Sequence, residues 1–373
     1  MHADPMASTT PIEVELIGES AEPVLDVPHR IGGGGWAARS AAGELLLMDG
    51  RLAVTGSFPL PAAILREKPA SGVGGQTCRV DVSPDLRFAA FAVTDRIVVI
   101  DRSGEVQWQV THTVPSIEGT NDVAGCAVFT PDGTSLWAFV PRPTDTDALP
   151  RDAYPFRPPF GVDRHVLDVS DWRTTARTAT EYRCHSRVFL HPDGEHASYG
   201  SFDGHDGWSC RWVRWDNGSE TVVVTGWMKP VDIHPSGERW LAHNACELVA
   251  GDFRSGTVST IAVEADVEEA PEADWDDHPY HGYDLDISTA CLLTPNLALA
   301  GCDSLSEACH RPHLLFRVDP PHVYGPVSYP PTSIFGASTY QGCDVGIAGA
   351  GDGTWVTCVP GGRLQRWRLR AVS

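Results

Sequence analysis

Short apolar runs, separated by turn residues, recur along the whole chain. In one recurring phrase a strand-like run ends in Pro plus a turn residue, and a second strand-like run follows at once. The prolines of its five copies are Pro84, Pro131, Pro192, Pro235 and Pro295. Their spacings of 47, 61, 43 and 60 residues indicate a repeat architecture.

A second recurring phrase contains apolar alternation, an Asp, a few turn residues and further alternation. It surrounds Asp49-Gly50, Asp101 and Trp215-Asp216-Asn217-Gly218. Asp and Gly favour such turns, because Asp accepts hydrogen bonds from nearby backbone N–H groups and Gly adopts positive φ. Each repeat is therefore predicted to hold four strands, with a Pro turn joining the first two and an Asp turn joining the last two. The second repeat shows this most clearly, with strands expected at Arg79–Ser83, Phe88–Val93, Ile97–Asp101 and Val106–Thr111.

The chain is predicted to contain seven such four-stranded units. The recurring phrases are weak in the first and sixth units, so six or eight units remain as alternatives. In the first unit the expected strands are Pro23–Val27, Trp36–Arg39, Glu44–Met48 and Arg51–Val54. In the seventh they are Asp344–Ala348, Trp355–Val359 and Leu364–Leu369, and a fourth strand is missing.

The run Ile12–Ile17 precedes the first unit and belongs to no other. We expect it to supply the missing strand of the last blade, formed by about 340–370, because a closed ring leaves no open sheet edge. Residues 1–11 are predicted to be a disordered tail, and 12–373 a single β-propeller domain.

These units resemble WD-repeat and YVTN-type seven-bladed β-propellers over almost all of the chain, from about Ile12 to Leu369. Trp215-Asp216 is a WD dipeptide at the matching place, but no unit opens with the Gly-His pair of a WD repeat. The resemblance implies an all-β fold, a seven-bladed β-propeller of four-stranded antiparallel blades with degenerate repeats. It also implies a binding module, which is the usual role of such propellers. The family's His–Asp–Ser–Trp hydrogen-bond network is not expected in this chain, because the Gly-His pair is absent.

The charge balance excludes two classes of partner. The net charge is −21, from 49 acidic and 28 basic residues, which argues against nucleic acid and against an anionic membrane surface. No apolar run approaches the about 18 residues of a membrane-spanning helix, and no secretory signal is visible at the N-terminus. Ten cysteines without an export signal predict reduced thiols in a cytoplasm.

Loop lengths predict where function lies. The two kinds of hairpin turn are tight and share one face of a propeller, whereas every long connection falls on the other face. Long loops on a rigid scaffold usually carry function, so we expect the site there. The long segments are 56–77, 112–124, 141–163, 264–286, 302–312 and 329–343.

The segment 264–286 carries ten acids and no Lys or Arg. Such a face favours a basic partner, and its aromatic side chains would supply contact area. The first hypothesis is therefore a module that binds a protein, a peptide or a small-molecule ligand. The predicted binding residues are Tyr154, Phe156, His205, Trp208, Asp274, Trp275, Tyr280 and Arg311.

Metal binding is an alternative use of the same segments. Asp276, Asp277, His278 and His281 could share one divalent ion, and Cys309 with His310 or His313 could add a soft ligand. A solvated acidic loop is the commoner meaning of such a run. His191 and His234, which precede prolines, are interpreted as plain turn residues on the opposite face.

An enzyme is the second hypothesis. The sequence contains neither a Gly-x-Ser-x-Gly elbow nor a P-loop, so no hydrolase or nucleotide motif anchors it. His278, His281 or His310 would act as general acid or base at the mouth of the channel, with a carboxylate partner tuning the imidazole. A carbohydrate-binding propeller is a third idea, but it predicts similar aromatic pockets in every blade.

Overall fold

The fold is described from a computed structural model. The structure describes residues 11–65, 79–93, 95–112, 125–143, 160–180, 188–202, 208–216, 219–226, 228–244, 247–262, 286–303, 313–330, 346–358 and 362–370. Within these ranges lie 28 strands, one 3₁₀ turn (Gly32–Gly34) and one short α-helix, α1 (Ala62–Leu65).

The strands follow one another in groups that match the predicted units. The first are β1 (Ile12–Pro23), β2 (His29–Ile31), β3 (Gly35–Arg39), β4 (Glu44–Met48) and β5 (Val54–Pro59). Then come β6 (Arg79–Val82), β7 (Phe88–Val93), β8 (Arg96–Asp101), β9 (Val106–Thr111), β10 (Cys126–Phe129), β11 (Ser135–Pro143), β12 (Phe160–Asp168) and β13 (Thr174–Thr180). The next are β14 (Val188–Leu190), β15 (His196–Phe202), β16 (Trp208–Asp216), β17 (Ser219–Gly226), β18 (Lys229–Ile233), β19 (Arg239–His243), β20 (Glu247–Asp252) and β21 (Val258–Ala262). The last are β22 (Asp286–Thr294), β23 (Leu297–Asp303), β24 (His313–Arg317), β25 (His322–Ser328), β26 (Gly346–Gly349), β27 (Thr354–Cys358) and β28 (Arg363–Leu369).

The strands of each sheet are antiparallel, except for one short parallel pairing, and the sheets follow one another along the chain as in a β-propeller. Five separate sheets hold four strands each: β2–β5, β6–β9, β10–β13, β14–β17 and β18–β21. The remaining strands form one eight-stranded sheet in the order β22-β23-β24-β25-β1-β28-β27-β26. The predicted all-β propeller is thus confirmed, whereas the expectation of seven separate blades is corrected to five separate blades and one double-sized sheet.

The double-sized sheet arises because β1 pairs on both of its edges. On one edge it runs antiparallel to β28, from Val14 opposite Leu369 to Pro23 opposite Arg363. On the other edge Ile12 lies opposite Val327 in a short parallel pairing with β25. The N-terminal strand therefore completes the last sheet as predicted, and it continues to Pro23 instead of ending at residue 17. The division into tail and single domain stays a prediction, since residues 1–10 lie outside the described ones.

The innermost strands form a closed cycle of contacts. In order around the cycle they are β2, β6, β10, β14, β18, β22 and β26, and β26 contacts β2 again. Apolar side chains fill the space between one group of four strands and the next. Phe58 and Phe91 share one such cluster, and Val14, Trp355 and Trp367 share another. All six side chains of Phe88–Val93 are buried, because strands inside a propeller are covered on both faces.

The first unit differs from its prediction at both ends. Its first strand is β2, not Pro23–Val27: Val24 makes only an isolated bridge to Ser40. Its fourth strand begins at Val54, not Arg51, because Leu52 takes a left-handed φ of 67°. The side chain of Asp49 accepts hydrogen bonds from the backbone N–H groups of residues 51 and 53, which lengthens the turn.

Four cysteines of the described part, Cys126, Cys210, Cys291 and Cys358, are buried and form no disulfide. They occupy core positions as small apolar groups. Within the described ranges, no helix is long and apolar enough to cross a membrane.

Candidate functional site

Hairpin turns of neighbouring sheets lie side by side. A methyl group added to Gly133 would be 3.5 Å from Pro84, and one added to Gly194 would be 3.6 Å from Pro131. These turns therefore share one face, called here the turn face, which carries 83–87, 130–134, 191–195, 234–238 and 350–353. The antiparallel pairing within each sheet places the connections between second and third strands, and between successive sheets, on the opposite side, called here the loop face.

The predicted long loops are shorter than expected where strands extend into them. Strand β5 and helix α1 cover most of 56–65. Strand β11 continues to Pro143 and β12 begins at Phe160, so both ends of 141–163 are strand. Strands β11 and β12 pair along their whole length, and at their loop-face ends Pro143 lies opposite Phe160.

Nearly all predicted site residues lie outside the described ones. These are Tyr154, Phe156, His205, Asp274, Trp275, Asp276, Asp277, His278, Tyr280, His281, His310 and Arg311. The backbone of Trp208 is described, at the loop-face start of β16 opposite Phe202. The binding, metal and acid–base roles of these residues, and with them the enzyme alternative, stay predictions.

His313, which the sequence suggested as a soft-ligand partner, is described and buried at the loop-face start of β24. Its Nδ1 lies 2.7 Å from the Tyr329 hydroxyl, which accepts a hydrogen bond from Trp355 Nε1 at 3.0 Å. Burial lowers the pKa of His313 to about 3 and raises the pKa of Tyr329 well above its usual value. His313 is therefore a neutral member of a buried polar network that joins the two halves of the eight-stranded sheet.

Charged groups also lie near the loop-face end of the β10–β13 sheet. The buried carboxylate of Asp163 accepts hydrogen bonds from Arg177, at 2.6 Å, and lies 2.7 Å from Arg142 Nε. The side chains of Arg142 and Arg177 are 43% and 64% exposed, and the guanidinium of Arg164 stacks over Trp137 at 4.8 Å. This part of the rim is positively charged, in contrast to the acidic segment 264–286.

The central channel is crossed near the turn face by one side chain. Arg30 on β2 donates hydrogen bonds to the carbonyl oxygens of Gly349, at 3.0 Å, and Ile233, at 2.6 Å. It also contacts Oδ1 of Asp232 at 3.3 Å. Because β18 is not a neighbour of β2 in the cycle of innermost strands, Arg30 must reach across the space that they enclose.

Two aspartates at equivalent positions tie successive innermost strands together. Asp81 and Asp232 each stand three residues before a turn proline. Asp81 Oδ2 accepts a hydrogen bond from Phe129 N at 2.6 Å, and Asp232 Oδ2 accepts one from Leu292 N at 2.8 Å. Sequence reasoning missed both, although an Asp inside an apolar strand is a visible signal.

Burial dominates the acidity of these two carboxyls. It raises the pKa of Asp81 to about 7, against the hydrogen bonds from Phe129 and Val82 that lower it. Burial also raises the pKa of Asp232, and there the charge of Arg30 opposes the shift.

Replacing Asp81 by Asn should stabilise the protein more at pH 8 than at pH 5. With a folded pKa of about 7, Asp81 holds its proton in the folded state while an unfolded Asp has lost it. The stability that this proton provides is full below the unfolded pKa of 3.8 and is lost as the pH rises through 7. Asn keeps the hydrogen bond without a charge, so we expect a gain of about 1–3 kcal/mol at pH 8.

Urea unfolding of the wild type and the Asp81→Asn variant at both pH values measures this effect. The control is Glu105→Gln, which removes one carboxylate from an exposed position of the same sheet. Its effect on stability should be small at both pH values. An equal effect of Asp81→Asn at pH 5 and pH 8 would show that Asp81 is ionised in the folded protein at both pH values.

The comparisons with known proteins agree with this architecture. Among solved structures, the chain is similar to the β-propeller domain of Cps50 (Swd1) from Myceliophteria thermophila, with a TM-score of 0.55. The match covers 96% of this chain and 100% of that one, at 11% sequence identity. At this identity the likeness shows the fold alone, and the fold places the chain among β-propellers. No family model matches the sequence, and no curated protein matches it.

Proposed function

We propose that this chain is a binding module whose loop face holds a protein, a peptide or a small-molecule ligand, with basic ligands favoured. The observation that supports it best is the unequal distribution of chain between the two faces. Every connection longer than a tight turn departs from the loop-face end of a strand. A ring of packed sheets that presents its longer connections on one side has the usual construction of a recognition surface.

The turn face is poorly suited to the same role. Its turns satisfy their own polar groups: Asp85 and Asp132, for example, each accept hydrogen bonds from a neighbouring hydroxyl and a backbone N–H. Arg30 spans the channel close to this face and uses its guanidinium on three partners of the chain itself. The turns of Asp85 and Asp132 and the Arg30 guanidinium therefore leave little unsatisfied hydrogen-bonding capacity for a peptide or other large ligand.

Charge supports the preference for basic ligands. Ten acids in 264–286 would create a negative potential, which speeds the approach of a cationic partner and selects against anionic ones. The positive rim of Arg142 and Arg177 lies on a different sheet and is already paired with Asp163. A ligand that bears basic side chains near one edge fits this arrangement best.

An array of synthetic basic, neutral and acidic peptides tests the proposal. In one variant the acids of 264–277 are replaced by their amides without a change in length. We expect its binding to basic peptides to weaken at least about tenfold, since charged contacts of this number dominate steering and specificity. A matched variant with the exposed turn-face acids Glu105, Glu195 and Glu238 changed to Gln should bind as the wild type does. Equal losses in both variants, or none in the first, would refute the proposal.

A further inference from the structure

Two histidines and one aspartate converge on the turn between β14 and β15. Oδ2 of Asp193 lies 2.8 Å from Nδ1 of His191 and 2.7 Å from Nδ1 of His196. The three ligand-type atoms all lie within 4.8 Å of one another. Imidazole nitrogen and carboxylate oxygen are the donors that suit zinc and related divalent ions.

The side chains of Asp193 and His191 are each oriented by further hydrogen bonds to the backbone. Oδ1 of Asp193 accepts hydrogen bonds from the backbone N–H groups of Glu195, at 2.8 Å, and His196, at 3.0 Å, which directs Oδ2 toward the two rings. Nε2 of His191 lies 2.7 Å from the carbonyl oxygen of Gly237. A carbonyl can only accept, so Nε2 carries the proton.

The protonated Nε2 leaves Nδ1 of His191 with a lone pair that faces Asp193. The backbone N–H of Asp193 reaches this nitrogen at 3.1 Å, but the carboxylate oxygen at 2.8 Å also faces it. Two acceptors at this distance repel unless a proton or a metal ion lies between them. A carbonyl that holds the outer N–H of a histidine is the usual support of a metal-bound imidazole.

Equivalent turns elsewhere use other residues. The position of His191 is taken by Ser83 and Thr130, whose hydroxyls donate to Asp85 and Asp132 at 2.7 and 2.6 Å. The turn after β18 keeps a histidine, His234, but has Ser236 and Arg239 where this turn has Asp193 and His196. Neither a stable Pro turn nor the fold therefore requires the two histidines together with the aspartate.

The surroundings favour a bound cation. The ring of Phe253 packs against His191, with ring centres 4.5 Å apart, and edge-on to Trp212 at 5.0 Å, so water is excluded from one side. The guanidinium of Arg214, which lies opposite His196 in the sheet, is paired with Glu195 at 3.1 Å. Its charge is thereby offset and opposes a metal ion less.

We propose that His191, Asp193 and His196 bind one divalent transition-metal ion of the zinc, cobalt and nickel class. Two nitrogen donors and one oxygen donor select this class over calcium and magnesium, which prefer oxygen. Three protein ligands leave at least one coordination position for water or another ligand. Through the His191–Gly237 hydrogen bond the ion would also hold the β14–β17 and β18–β21 sheets together at the turn face.

Titration of the untagged full chain with Co²⁺, followed by its visible absorption and by competition with Zn²⁺, tests the site. We expect one equivalent of Co²⁺ whose affinity falls at least tenfold in His196→Gln. His234→Gln, the matched change in the next turn, should leave it unaltered, and so should His278→Gln with His281→Gln in the acidic segment. Binding by His196→Gln equal to that of the wild type would overturn the proposal, as would loss of the signal in the His278 and His281 variant.

A second measurement does not depend on whether a variant folds. Histidines of the wild-type protein are modified with diethylpyrocarbonate, with and without Zn²⁺, and the products are mapped by mass spectrometry. Zn²⁺ should protect His191 and His196 and leave the exposed His322 reactive. Equal modification of His196 in both conditions would refute a site there.

Discussion

A chain that lacks residues 1–20 should lose more than about 5 kcal/mol of its free energy of unfolding, which for an ordinary domain is at least about a third of the total. Strand β1 supplies the outer strand of the last sheet along the whole of β28, and it also bonds to β25. Its Val14 is 1% exposed, within the cluster that contains Trp355 and Trp367. Without β1, two sheet edges and this cluster would be open to water.

Thermal and urea unfolding measure the loss. The control is deletion of residues 1–10 alone, which leaves every hydrogen bond of β1 in place and should change stability little. A finer comparison is Val14→Ser against Leu16→Ser on the same strand. Leu16 is 43% exposed, so its change should cost under about 0.5 kcal/mol, while the change at Val14 should cost about 1–3 kcal/mol. Unaltered stability of the shortened chain would contradict closure of the ring by β1.

Replacing Arg30 by Met should cost about 2–4 kcal/mol, because it leaves the carboxylate of Asp232 buried without a counter-charge. The variant also loses the hydrogen bonds to Gly349 and Ile233, which connect sheets on opposite sides of the channel. The loss should be smaller at pH 5 than at pH 8. The pKa of Asp232 is already raised, and without Arg30 the carboxyl would take up a proton and become neutral at the lower pH.

The double variant Arg30→Met with Asp232→Asn separates charge from packing. Asn keeps the acceptor for Leu292 N and removes the buried charge, so the double variant should regain part of the stability lost by the single one. Arg87→Met, on an exposed arginine of the turn face, is the matched control and should be nearly neutral. A double variant as unstable as the single one would show that the ion pair contributes nothing.

Local turn chemistry explains why so many strands could be predicted. The bounds of β7 and β9 agree with the predicted ones, since a Pro turn and an Asp turn fix where each begins. The first strand of the first unit was predicted wrongly because Val24–Val27 is as apolar as a strand. Val24 is buried all the same, against Trp36 and Val356, so its apolar character is explained by packing outside the ladder.

Pairings between distant segments carry no such local signal. The contact of β1 with β25 brings residue 12 opposite residue 327, and neither sequence contains a turn that would reveal it. The cluster of His191, Asp193 and His196 was missed for a related reason. His-Pro-Asp is sufficient to explain a turn, and the orientation of His191 depends on Gly237 from the next sheet.

The paired strands β1 and β28 are synthesised far apart in time. Val14 is added 355 residues before its partner Leu369. At the usual rate of about 5–20 residues per second, β1 waits on the order of tens of seconds for β28. During that time Val14 lacks the cluster with Trp355 and Trp367 that buries it in the folded protein, so the strand stays exposed to contacts with other chains until β28 is made.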